Sequence, residues 1–145
     1  MPASSISFPY VIEKVERGFV SRPKIPITLS SGEKNLETLG LVDSGSDVTV
    51  IPLGIAEFLG INIGGKVSGV SDFHEKKIEM AYSFVNLKIE KGDSVFRILQ
   101  MPVRIPLKEE EQPDGVILGR DGLFREFDIT FEENVRRIVL QKVRR

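Results

Sequence analysis

Apolar residues in this chain recur chiefly at every second position, the spacing of a strand with one buried face. In "KIPITLS", Ile25, Ile27 and Leu29 alternate with polar or proline positions. "SSGEKN" follows as a turn, and "LETLGLV" returns as the second arm of a hairpin that delivers Asp43 at its end. Beyond Pro52 the period lengthens. Ile55, Phe58 and Leu59 fall at helical spacing, Pro52 lies near the first helical position and Gly60 is placed to end the helix, which predicts a short helix over 52–59. Ile78, Met80 and Tyr82 then share one parity, while Val85, Leu87 and Ile89 share the other. A strand cannot change faces without an extra residue, so a bulge or sharp bend is predicted near Ser83. After a "KGD" turn, Val95, Arg97, Leu99, Met101, Val103 and Ile105 run along one face of the next strand. "LKEEEQPDG" reads as a polar loop, "VILG" as a short buried strand and "RDGLFREF" as a second short helix. "ITF" and "RRIVLQKV" close the chain as a hairpin around "EEN". With no repeat, low-complexity tract or linker to divide it, the pattern predicts a single all-β domain with two small helices.

Composition narrows the chemistry. The 145 residues are 41% hydrophobic and 28% charged, ordinary for a globular protein with a core of its own. A net charge of -1 supplies no electrostatic drive toward nucleic acid or an anionic membrane, and the basic end Lys142-Val143-Arg144-Arg145 reads as a solvated tail. The absence of cysteine excludes disulfides, thiolate catalysis and thiolate metal sites. No stretch approaches the length of a membrane span, and "MPASSISFPY" lacks a basic segment followed by an apolar one. The expectation is a cytoplasmic protein.

Three motifs fail on inspection. "GINIGGKV" has the glycines and lysine of a phosphate-binding loop, but Val67 stands where a magnesium-holding hydroxyl is needed, and the order of elements is reversed. His74 is the only histidine and lies in the turn-like "SDFHEKK", so neither a catalytic triad nor a zinc site follows from it. "DSG" is not a phosphorylation signal of the D-S-G-x-x-S kind, because Val48 occupies the last position. What remains is "LVDSGSDVTVIP", residues 41–52, where Asp43-Ser44-Gly45-Ser46-Asp47 interrupts an apolar run. A tight turn with Asp43 bonded to backbone amides explains Asp43 and Gly45. It does not explain the second acid, Asp47, or the later apolar-glycine run "VILGRDGLF".

Taken together, "LVDSGSDVTVIP" and "VILGRDGLF" resemble the retropepsin family, the single-domain aspartic proteases that include the retroviral enzymes. The likeness extends from about Lys24 to Leu140, with the motifs in the family's order. It implies a small closed, barrel-like β fold over residues 23–145, preceded by an N-terminal extension over 1–22. That extension is open to three readings: an added strand, a cover for a dimer edge, or a segment removed by self-cleavage. The resemblance implies an aspartic endopeptidase needing no cofactor and no metal, in which Asp43 pairs with Asp43 of a second chain in a homodimer. Ser44 would bond across the dimer axis, and Gly45 would allow close backbone approach. Asp47 and Arg120 would pair to brace the active-site loop. A Ser46 hydroxyl bonded to the ionised Asp43 would favour an acidic optimum. The substrate would be an extended peptide or protein, covered by a flap whose candidate residues are Gly69, Val70, Ser71, Asp72 and Phe73. The competing reading is a weakly active or inactive module of the same fold that dimerises or binds peptides.

Overall fold

The computed structural model describes residues 4–63, 66–71 and 77–144, with 66–71 and 77 described by their backbone alone. The elements in chain order are β1 (Ser5–Pro9), β2 (Val11–Val15), β3 (Gly18–Arg22), β4 (Lys24–Ser31), β5 (Lys34–Val42), α1 (Leu53–Leu59), β6 (Lys66–Ser71), β7 (Lys77–Lys91), β8 (Ser94–Pro106), β9 (Val116–Leu118), α2 (Leu123–Glu126), β10 (Phe127–Glu132) and β11 (Arg137–Lys142). The molecule is all-β with two short helices.

Strict alternation becomes strand. In β4, Ile25, Ile27 and Leu29 are buried while their neighbours are not, and β4 pairs antiparallel with β5 across the turn at Gly32. The largest sheet has the order β6-β7-β4-β5-β9, with β8 also on β7, and its one parallel ladder joins β5 to β9. A second sheet has the order β1-β11-β10, and β2 and β3 form a separate hairpin. Among the described residues, the named ladders group into three sheets around one core. At the β9 edge of the largest, Val50 bridges Ile117 of β9 to Arg104 of β8, so pairing continues from β9 through that bridge to β8 and β7. The core gathers Ile25, Leu29, Ile51, Leu87, Met101, Leu118, Phe127 and Ile138. Ile6, Phe8 and Tyr10 belong to it as well, so β1 is built into the domain, and its partner β11 lies in the same chain.

Two expectations from periodicity are corrected. β7 changes face nowhere near Ser83: Ala81, Ser83, Val85, Leu87 and Ile89 all point inward. The small residues carry the core face there, and the Ser83 hydroxyl is satisfied by donating to Asn62 O at 2.6 Å. The extra residue sits on β8 instead. The ladder slips between Val85 and Leu87, opposite Leu99 and Gln100; Gln100 has a left-handed φ of 54° and its N–H donates to Asn86 Oδ1 at 2.9 Å. The slip reverses the parity of β8. Phe96 and Ile98 point inward before it, and Met101, Val103 and Ile105 after it, which leaves Leu99 70% exposed. The predicted helix is α1, closed by Gly60 at φ 66°, but Phe58 faces solvent near Lys34 while Ala56 and Leu59 face the core.

Candidate active site

The site is built where the chain leaves β5. The Asp43 N–H donates to Leu118 O at 3.0 Å, extending the parallel ladder one residue past Val42. There the chain turns. Gly45 N–H donates to Asp43 Oδ1 at 2.9 Å and Ser46 N–H donates to Asp43 O at 3.2 Å, the hydrogen bonds of an Asx-type turn. The returning arm enters between β9 and β8: Val50 exchanges both backbone bonds with Ile117 at 2.9 Å, while Arg104 N–H reaches Thr49 O and Ile51 N–H reaches Arg104 O. β9 is therefore gripped on one side by β5 and on the other by the arm that leaves the loop.

The chain beyond β9 then passes under that loop. Arg120 N–H donates to Ser46 O at 2.9 Å and Asp121 N–H donates to Asp47 O at 3.0 Å. Gly119 is required by this crossing, since a Cβ there would lie 2.1 Å from Val48 O. Thr49, fully buried, joins the two motifs through its side chain: its hydroxyl donates to Asp121 O at 2.8 Å and accepts from Gly119 N–H at 3.2 Å. Thr49 was not among the residues singled out from sequence. A hydroxyl inside the otherwise apolar "VTVIP" was the available signal, and it reads equally well as an ordinary strand threonine.

The loop carries two carboxylates in different circumstances. Asp47 forms an ion pair with the Arg120 guanidinium, and both side chains are well exposed, at 78% and 59%. The charge is thus not buried in an apolar strand as the run of valines implied; the strand ends at Val42 and the polar residues form an exposed loop. The Asp43 carboxylate is half-buried, accepts the Gly45 N–H, and has no cationic partner among the described residues. Ser44 and Gly45 are exposed. Ser46 is corrected: its hydroxyl donates to Val48 O at 2.7 Å, so that proton is not available to the Asp43 carboxylate. Gly69, Val70 and Ser71 lie on β6, an edge strand that pairs with β7 around an irregularity between Val67 and Val70. Asp72 and Phe73, with His74 and the Gly64-Gly65 pair of the phosphate-loop near-miss, lie outside the described residues.

Among the described residues no cluster of three or more His, Cys, Asp or Glu is placed to hold a metal ion, and no helix is long and apolar enough to cross a membrane. No family model and no curated protein matches the chain. Among solved structures, it is similar to a retropepsin-like aspartic protease from Rickettsia conorii, with a TM-score of 0.56 and 15% identity, over 95% of this chain and 93% of that one. At that identity the likeness is one of fold, and the fold of this chain is retropepsin-like.

Proposed function

We propose that this chain is an aspartic endopeptidase that works as a homodimer, with Asp43 of each subunit facing the other across a shared water. The observation that carries the reading is the contrast within one loop. Asp47 is held by Arg120, while Asp43 stands on a loop clasped from below by Gly119–Asp121 and has no cationic partner among the described residues. Two such carboxylates brought close cannot both ionise cheaply, so the pair holds one proton. The ionised member takes a proton from the water as its oxygen attacks the peptide carbonyl carbon. The protonated member donates its hydrogen bond, then its proton, to the carbonyl oxygen. Collapse of the resulting diol breaks the carbon–nitrogen bond, a proton passes to the leaving amine, and the pair is left singly protonated again.

Activity requires that singly protonated state, so it follows a bell-shaped pH profile set by two macroscopic values of the pair. We place the optimum on the acidic side of neutrality for this reason. The test is cleavage of an unbiased peptide mixture by wild type and Asp43→Asn, with the oligomeric state of both measured by sedimentation. Cuts made by wild type and lost at least about a thousandfold in an intact dimeric variant support the peptidase. Binding of peptides without cutting, unchanged by Asp43→Asn, would replace it with the peptide-binding module.

A further inference from the structure

Leu39 and Leu41 project from the outer face of β5, and Asp43 is the next residue in that parity, still laddered to Leu118. Ile117 of β9 lies beside them, and Lys24 pairs directly with Leu41 across the β4–β5 ladder. Leu39, Leu41, Ile117 and Lys24 floor an open groove of about 810 Å³, whose walls are the 113–115 loop on one side and the β2–β3 hairpin on the other. The loop wall is fixed in place. Gln112 donates to Pro106 O and Lys108 O and accepts from Leu53 N–H, tying the loop to the start of α1. The hairpin wall joins no other sheet among the described residues. Glu13 anchors it, with one oxygen 2.7 Å from Arg22 Nε and the other 2.5 Å from Lys24 Nζ.

One carboxylate thus serves two cations. Among the described residues that line the groove, the cations are Lys14, Arg22 and Lys24 and the acids are Glu13 and Asp114. A positive charge is left over beside an apolar strip that leads to Asp43. A groove of this size accommodates about two or three side chains of an extended peptide. We propose that the β2–β3 hairpin is a specificity wall, selecting peptides that set an acidic side chain against Arg22 and Lys24 and a large apolar one on Leu39 and Leu41. The proposal rests on the peptidase reading for the peptide and adds to it a side-chain preference and the residues that impose it.

The test uses two peptides identical except for Glu or Lys next to a Leu, offered to wild type, Arg22→Gln and Arg22→Glu. Arg22 is partly exposed, and Glu13 keeps Lys24 as a partner in both variants; circular dichroism and the methyl spectra of Leu39 and Leu41 check that the fold and the hairpin are retained. Wild type is expected to favour the Glu peptide in kcat/KM by about three- to tenfold, Arg22→Gln to lose most of that ratio and Arg22→Glu to reverse it. An unchanged ratio across the three proteins overturns the wall while leaving the peptidase standing. Binding is read separately from the methyl resonances of Leu39 and Leu41 on titration with each peptide. Glu-selective shifts at these methyls without cleavage keep the wall and overturn the peptidase. Titration without shifts at either leucine overturns the wall whether or not the peptides are cut.

Discussion

Thr49 shows how much of this site depends on one hydroxyl. It satisfies a buried N–H of Gly119 and a carbonyl of Asp121, so Thr49→Val keeps the shape and leaves two backbone groups without a partner. A loss of about 1–3 kcal/mol in unfolding free energy is expected, read by denaturant titration. If the protein is a peptidase, kcat should fall further than KM changes, because the loop bearing Asp43 loses its lower contact. An unaltered unfolding midpoint would mean that the two motifs are held together by the backbone bonds alone. The turn at Asp43 was legible in the sequence, because an acid followed by Ser-Gly between apolar runs forms an Asx-type turn, and Gly45 N–H does bond Asp43 Oδ1. The direction of the Ser46 hydroxyl was not legible, because Val48 O and Asp43 are both within its reach along the chain and only the turn geometry selects between them.

Among the elements, the β7–β8 ribbon records what periodicity can and cannot say. The parity change read in β7 is not there, and the extra residue lies on β8, where the alternating pattern runs unbroken from Val95 to Ile105. Which strand holds it depends on which residue accepts a left-handed backbone and finds a partner, and here Gln100 does so with Asn86. Asn86→Ala should remove that hydrogen bond and destabilise the ribbon by about 0.5–1.5 kcal/mol, with faster amide exchange at Gln100 as the local signature. The hairpin of β2 and β3 answers to pH instead. A hydrogen bond from Lys24, aided by the charges of Lys24 and Arg22 and opposed in part by desolvation, holds the Glu13 carboxyl below its ordinary value of 4.5. A carboxyl lowered by folding stabilises the fold fully above its unfolded value and ceases to do so as pH falls through the folded one. Glu13→Gln should therefore lower the melting temperature near neutrality and match wild type in strong acid. A gap that persists in acid would assign the effect to packing.

At the scale of the whole molecule, the outer strands are kept within one chain. β11 is flanked by β1 and β10, so the Arg137–Lys142 segment has both neighbours at home. In the proposed dimer, the exposed Ser44 and Gly45 lie on the face through which two copies of Asp43 would meet. Specific activity is expected to fall on dilution, with the observed rate tending toward the second power of protein concentration below the dissociation constant. Specific activity that stays constant down to concentrations at which sedimentation shows only monomer would refute a site shared between chains.

The alternation in β4 and β5, the helix closed by Gly60 and each of the two motifs that carry the likeness to retropepsins are local in sequence. Each rests on backbone dihedral preferences or on side chains a few residues apart, so they could be read without coordinates. The clasp is different in kind. Gly119 meeting Val48 O and Thr49 joining Gly119 to Asp121 each join residues about seventy positions apart, and nothing within either segment specifies the other as its partner; only the Asp47–Arg120 pair was expected, and through the resemblance. The groove beside Asp43 belongs with them, because Glu13, Leu41 and Asp114 become neighbours only when the hairpin, β5 and the 113–115 loop are packed around one core.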